Sequence, residues 1–414
     1  MKYKLICTLC GDAFDESAPC ISTLRCCKCG GPLQPVFEWP ANKDKLANIL
    51  NHPSDDIWAY REFFPVKDEK PISMGEGHTP FFCCDKTAAA VDIQKLYIKN
   101  EGVNPSGTYK DRGISVAMTC ARALNARAVI LGSAGNAGAS AAAYAARAGL
   151  RCYLFLPEGA LPTRETMAKL YGANVIRVKG TIDDAIRISV AVQREFGFIN
   201  MSTAREFNPY CVEGYKSIGY ELAVQPDLPD HIIVPAGGGS LLAKIWEGLC
   251  DAKRLGVIGK LPKMTGIQAS GCAPLVKAYK EQSAVRKWHQ KPDTIAFAIA
   301  DEWPHDGELA LKAVRASGGT LEEVDDQEIL NAQKWLCSQE ALFAEAASAA
   351  TLAGLFKLRK AGFIKRDDSA ALIISGTGIK DIYEMGGDCR NVPVIQNDFN
   401  AAVDTINTFE RSRS

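Results

Sequence analysis

The sequence predicts an α/β protein of two doubly wound α/β domains, each a parallel sheet covered by helices, with a small cysteine-bearing segment in front. Three observations predict it. Short β-branched runs alternate with alanine-rich helical patterns, several of these runs end in loops of small residues, and the N-terminal segment holds two Cys-x-x-Cys pairs. A chain of 414 residues with 47% hydrophobic content can bury more than one core.

The N-terminal segment comes first. Cys7 and Cys10 in CTLCG and Cys26 and Cys29 in CCKCGG are separated by fifteen residues, which is zinc-ribbon spacing. Each pair puts two thiolates on one tight turn, with Gly11 or Gly30 just beyond, and four thiolates would close a tetrahedron around Zn²⁺. Such a site has no open position and would be structural. Cys20 and Cys27 are spare, and free or redox-active thiols are the alternative reading. So short a segment has little core of its own, so metal binding would supply most of its stability. A nucleic-acid-binding ribbon is the rival function from another class. The 48 basic and 48 acidic residues cancel and argue against it, and against a membrane surface as partner.

Trp39 to Asp68, rich in proline and aromatic residues, shows no clear period and is expected to wrap across the domains. The alternation then begins: AVILG, a helical stretch to Gly149, RCYLFLP, a helix to Tyr171, NVIRV, a helix from Ile182, and FINM. A second series runs HIIVP, a helix after Gly239, TGIQAS, and ALIIS near residue 375. The alanine-rich stretch from Gly138 to Leu150 is broken by Arg147, so no membrane span is expected. The N-terminus lacks the apolar core of a signal peptide, and most cysteines stand singly in apolar surroundings. A cytoplasmic protein acting on a small molecule is the expectation.

Ligand sites of open α/β sheets lie at the carboxyl ends of strands. The loop GSAGNAG, residues 132 to 138, spaces its glycines three apart and so lacks the GxGxxG pattern of a dinucleotide site. PAGGGS, residues 235 to 240, offers successive backbone N–H groups at a helix start, a cradle for phosphate. SGTGIKD, residues 375 to 381, places Ser375 at a strand end. NPSGTYKDRG, residues 104 to 113, sets Lys110 between a glycine turn and the pair Asp111 and Arg112.

This ordered set resembles the threonine synthase branch of the pyridoxal-phosphate enzymes with the tryptophan synthase β-subunit fold. The resemblance covers nearly the whole chain and includes the zinc ribbon that some threonine synthases carry. GEGHTP at 75 to 80, YGANVIRVKG at 171 to 180 and NPYCVEGYKS at 208 to 217 also carry it. It implies that Lys110 holds pyridoxal 5'-phosphate as a Schiff base and serves as base at the substrate's Cα. Asn136 would bond the ring hydroxyl, and Gly237, Gly238, Gly239 and Ser240 would hold the phosphate. Ser375 would face the ring nitrogen, where a neutral hydroxyl leaves it unprotonated. Enclosure between domains would lower the pKa of Lys110, and Gly107 would let the backbone approach the ring. Thr79, Ser133, Ala134, Ala137 and Arg205 are the expected substrate contacts.

The expected domains are a zinc ribbon at 1–36, a large domain from 37–118 and 206–414, and a small domain at 119–205. A homodimer is the assembly expected. Two positions depart from the family pattern: Ala137 stands where SxGNT has threonine, and Cys211 where NPxRxEG has the arginine that faces a substrate phosphate. The triglycine loop is itself more like that of serine and threonine dehydratases. The expected reaction is therefore elimination or replacement on an α-amino acid, with O-phosphohomoserine as the nearest family substrate. A serine/threonine-type ammonia-lyase and a β-replacement synthase are the alternatives, and Arg205 is the candidate to stand in for the missing arginine.

Overall fold

The β-branched runs form the strands of three sheets in the computed structural model, which describes residues 1–15, 18, 23–52, 55–66, 69–160, 162–381, 393–394, 396–397 and 399–413. The first is a small antiparallel sheet of β1 (Tyr3–Cys7), β2 (Ala13–Phe14) and β3 (Leu33–Phe37), ordered β2-β1-β3. It carries the cysteine pairs.

The second is the larger mixed sheet. Its strands are β4 (Phe81–Cys83), β5 (Lys95–Asn100), β10 (His231–Pro235), β11 (Lys263–Ala269), β12 (Thr320–Val324) and β13 (Ser369–Ile374), ordered β12-β11-β10-β13-β5-β4. All neighbours are parallel except the edge pair of β4 and β5. The third, wholly parallel, contains β6 (Ala128–Gly132), β7 (Arg151–Pro157), β8 (Asn174–Val178) and β9 (Ile199–Asn200), ordered β8-β7-β6-β9. Parallel neighbours need crossovers, and the helices Asn136–Ala148, Pro162–Leu170 and Ile182–Phe196 supply them in this sheet.

Three strands of the large sheet were not expected. β12 is a sheet edge carrying Glu322 and Glu323, and β4 has three residues, so neither shows a buried-strand pattern. β5 holds Lys99, a charge that reads against a central strand. The segment from Trp39 to Asp68, expected to be without period, contains the helix Asp44–Asn51 and a 3₁₀ turn over Ile57–Phe63. Tyr60 and Phe63 pack their rings 5.3 and 4.9 Å from that of Tyr220.

The lysine of β5 is part of a buried ion cluster. Arg112, completely inaccessible, donates to Glu101 at 2.6 and 2.8 Å, to Glu221, to Ser217 at 2.9 Å and to Thr79 at 3.2 Å. Lys99 Nζ donates to Glu221 and, at 2.6 Å, to the Thr79 carbonyl. Two cations thus meet two carboxylates, with the remaining lone pairs hydrogen-bonded, the condition under which buried charge is tolerated. Gly113, the next residue, has no room for a side chain, because a Cβ would lie 2.5 Å from the Cys211 carbonyl. The helix Lys110–Ala123 is thereby held both to the large sheet and to the helix Pro209–Glu213.

Removing Arg112 leaves Glu221 with Lys99 and takes from Glu101 its ion-pair partner. Arg112→Ala should cost about 3–5 kcal/mol of stability, read as a fall in the urea midpoint. A variant within about 1 kcal/mol of the wild type would show that the cluster does not hold the fold.

Candidate active site

Lys110 opens its helix at the seam between the two larger sheets. It is half-buried, and its Nζ donates to Thr203 Oγ1 at 2.8 Å and stands 4.9 Å from the Tyr109 ring centre. The charged neighbours in the sequence turn inward. Asp111 accepts from the Ser106 amide and from the Ser106 and Ser140 hydroxyls, while Arg112 enters the ion cluster, so the motif fixes the turn and leaves the Lys110 amine to reach Thr203. The expected lowering of the lysine pKa is corrected here. Burial does act downward, but the neighbouring groups, Tyr109 beside the amine and the Asp301 carboxylate, outweigh it and the ammonium is favoured.

Asn136 starts its helix at the end of the β6 loop and is buried. Its Nδ2 donates to Glu345 Oε2 at 2.8 Å, and Lys380 Nζ donates to its Oδ1 at 2.7 Å. Ser375, directly after β13, donates to the other oxygen of Glu345 at 2.9 Å and pairs with the Ser348 hydroxyl at 2.9 Å. A carboxylate therefore lies one hydrogen bond behind Ser375, which the neutral-hydroxyl reading did not anticipate. The Ser375 carbonyl accepts from the Tyr109 amide at 3.0 Å, joining this group to the lysine turn. Gly107 has φ +75°, and a Cβ there would lie 2.7 Å from Thr377, so the close approach it permits is to the 375–380 loop. A cleft of about 540 Å³ lies beside these turns, lined by Ser106, Thr163, Thr166, Tyr171, Thr377 and Lys380 among others.

The triglycine loop joins β10 to the helix Ser240–Arg254. Gly239 has φ +92°, and a Cβ on Gly237 would lie 2.5 Å from Asp301 Oδ2. The loop is bare backbone because nothing larger fits. Asp301 keeps solvent contact on one side; protein crowding pushes its carboxyl above the usual range, against the pull of Lys110, His305 and the Gly238 N–H. That N–H already meets an oxyanion, as a phosphate cradle requires. The Ser240 hydroxyl is committed to Asp306 at 2.6 Å.

The expected substrate contacts divide. Ser133, Ala134 and Ala137 lie in the loop and first helical turn around Asn136, and Ser133 Oγ accepts from the Gly135 amide at 3.3 Å. Thr79 and Arg205 are not brought to Lys110. Thr79 spends its hydroxyl on Glu101 at 2.6 Å inside the ion cluster. Arg205 donates to Gln34 at 3.0 Å and faces Asp306 at 3.5 Å. Cys211 is fully buried 3.8 Å from the Tyr215 hydroxyl, and burial pushes its thiol up to about 12. Glu345, Lys380, Thr203 and Asp301 were missed. Lys380 stood inside SGTGIKD without a role, whereas Glu345 precedes an alanine-rich helix with no local signal.

In the small sheet the four cysteines converge as expected. Cys7 and Cys29 sulfurs lie 3.5 Å apart, those of Cys10 and Cys26 lie 3.6 Å apart, and all four fall within 4.8 Å of one another. Cys27 is exposed and outside the group, and Cys20 lies outside the described residues.

A lysine amine, a buried amide, a strand-end hydroxyl and a bare amide cradle at the carboxyl ends of parallel strands define a cofactor-dependent enzyme of amino-acid chemistry. Residues 72–376 match the pyridoxal-phosphate dependent enzymes, and the chain belongs to that family. Among its relatives, the threonine synthase of Methanocaldococcus jannaschii is 40% identical over 91% of this chain and 92% of its own length. That of Methanosarcina acetivorans is 37% identical over 98% of both. The fold is shared with maize serine racemase, at a TM-score of 0.65 and 20% identity over 81% of this chain and 94% of that one. Threonine deaminase isoform 2 of Solanum lycopersicum gives a TM-score of 0.65 at 20% identity, over 83% and 96%. The chain is thus a threonine synthase-like lyase whose chemistry is pyridoxal-phosphate-dependent elimination or replacement on an α-amino acid. Among the described residues no helix is long and apolar enough to cross a membrane.

One ion pair near the site titrates measurably. The Glu206 carboxyl is held down to about 2, chiefly by His305, against burial and with help from Arg25. Its folded pKa lies below the ordinary 4.5, so the stability it contributes is present above that value and is lost as pH falls towards 2. The Tm difference between the wild type and Glu206→Gln should therefore shrink between about pH 6 and about pH 3. A constant difference across that range would contradict the pairing.

Proposed function

We propose that this chain uses pyridoxal phosphate, held on Lys110, for elimination or replacement on an α-amino acid other than O-phosphohomoserine. Cys211 carries the substrate part of this reading. The threonine synthase pattern has an arginine there to grip the substrate phosphate; here a thiol is sealed against Tyr215, and Arg205 is engaged by Gln34 and Asp306.

The residues fit the cofactor. Lys110 would hold its aldehyde, the amides of Gly237 to Ser240 its phosphate, Asn136 its ring hydroxyl and Ser375 its ring nitrogen. When bound, the cofactor supplies an electron sink for the bonds around Cα. Thr203 orients the Lys110 amine through their 2.8 Å hydrogen bond, and that amine would serve as the base for the Cα proton. Glu345 fixes Asn136 and Ser375 with one carboxylate and so sets the orientation of both side chains. Ser133, Ala134 and Ala137 would receive the substrate's carboxylate on the loop that precedes the Asn136 helix. Ala137 offers no hydroxyl for it.

Steady-state comparison of O-phosphohomoserine with serine, threonine, O-phosphoserine and O-acetylserine tests the reading. One absent charge-assisted hydrogen bond, worth about 1.5–3 kcal/mol, predicts roughly 10- to 150-fold poorer use of O-phosphohomoserine than of the best alternative. Lys110→Ala should abolish turnover and the borohydride-stable labelling of the peptide around residue 110. Efficient threonine formation from O-phosphohomoserine would refute the substrate assignment.

We further propose that Cys7, Cys10, Cys26 and Cys29 bind one structural Zn²⁺. Sulfur atoms at about 2.3 Å from a tetrahedral zinc stand roughly 3.8 Å apart, and the closest pairs here approach that spacing. The free thiols throughout the chain suit a reducing, cytoplasmic setting, and we read the enzyme as a homodimer. Cys7→Ser should lose zinc, measured by atomic absorption, together with ribbon stability. Full zinc content in that variant would rule out the four-thiolate site.

A further inference from the structure

Residues 203–207 lie between the cysteine segment and both halves of the active site. On the ribbon side, Arg25, the neighbour of Cys26, donates from Nη2 to Glu206 Oε1 at 3.2 Å and stands 5.9 Å from the Phe207 ring centre. Gln34 of β3 accepts from Arg205 at 3.0 Å. On the active-site side, Glu206 Oε2 lies 2.7 Å from His305 Nδ1, and the Phe207 and His305 rings meet edge-on at 4.8 Å. Asp306 follows His305 directly and accepts from the Arg205 amide at 3.0 Å and from Ser240 Oγ at 2.6 Å. Its amide donates to the Gly238 carbonyl at 2.9 Å. Thr203, at the start of the segment, accepts from Lys110 on its hydroxyl and from Ser240 on its carbonyl at 3.4 Å.

Three consecutive glycines are the most flexible backbone a chain can offer, yet amides bind an oxyanion well only when their directions are fixed beforehand. Within the loop itself, nothing fixes them. Asp306 grips the loop at both Gly238 and Ser240, and Asp306 is in turn placed by the 205–207 segment, which Glu206 anchors between Arg25 and His305. The second anchor, from Arg205 to Gln34, also ends on the ribbon.

We infer that the N-terminal ribbon is a clamp that preorganises the phosphate-binding loop, with Glu206 as the positioning residue that transmits its hold. The inference rests on the reading that residues 237–240 hold the cofactor's phosphate. It assigns the ribbon a task in cofactor affinity rather than in folding alone. Because the clamp acts on the phosphate cradle, it distinguishes pyridoxal phosphate from pyridoxal, which lacks the phosphate. A merely structural role would affect both alike.

The test uses the full-length protein stripped of cofactor and titrated with pyridoxal phosphate and, separately, with pyridoxal. Arg25→Ala and Glu206→Gln should each weaken pyridoxal phosphate on the order of tenfold while leaving pyridoxal affinity unchanged, and Arg25→Lys should restore most of the loss. The double variant should be no worse than Glu206→Gln alone, since both act through one link. Arg25 keeps a quarter of its side chain exposed, so its replacement leaves a folded protein to measure even if Glu206→Gln does not. Wild-type affinity for pyridoxal phosphate in Arg25→Ala, or equal losses for both ligands, would overturn the clamp. Wild-type protein that binds the two ligands equally well would overturn the cradle itself, and the clamp with it.

Discussion

The turn that carries Lys110 is held by the buried guanidinium of Arg112. The guanidinium joins the turn that follows β5 through Glu101, the helix Lys216–Ala223 through Glu221 and Ser217, and the loop before β4 through Thr79, all buried. A planar donor with five N–H groups can reach this many elements at once, and a lysine could not. Because Arg112 lies two residues after Lys110 on the same first helical turn, locking the guanidinium also locks the direction of the amine. The cost of burying the charge is offset only while both carboxylates and Lys99 remain in place.

Around that fixed turn the site is assembled from loops that belong to different sheets. Asn136 comes from the end of β6, Ser375 from the end of β13 and the triglycine loop from the end of β10. Glu345 spans the first two with one carboxylate, and Asp306 holds the third by both its side chain and its amide. Acids that contact no reacting atom thus set the geometry of groups that do. The same device recurs at Glu206, which faces Arg25 beside the cysteine cluster and His305 ahead of β12.

The substrate reading proposed above rests on Cys211, where the threonine synthase pattern has an arginine. Cys211 is packed under Tyr215, and its backbone carbonyl lies where Gly113 leaves room for it, so this region is filled by apolar contact rather than by charge. Lys110 and the triglycine loop lie on other elements than Cys211, so the proposed change of substrate leaves the proposed reaction class untouched.

Much of this was legible in the order of residues. The β-branched runs with small-residue ends located seven strands of the two larger sheets, and the paired Cys-x-x-Cys spacing located the four-thiol cluster. Lysine turn, asparagine loop, triglycine loop and strand-end serine marked one kind of chemistry, because each depends on backbone that local sequence dictates. Partners across long sequence distances were not legible. Nothing near Lys99 announces Glu221, so β5 did not look like a central strand, and nothing near Asn136 announces Glu345, 209 residues away. Thr79 and Arg205 carried suitable groups, but which way they face depends on Glu101 and Asp306, which only the fold brings beside them. The sequence alone determined strand positions, turn chemistry and ligand-type residues, which are short-range properties. Side-chain direction, the sign of the shift at Lys110 and the contacts of Arg25 and Gln34 with residues 205–206 were decided by tertiary structure, because hydrogen bonds and charges act through space between residues the chain keeps far apart.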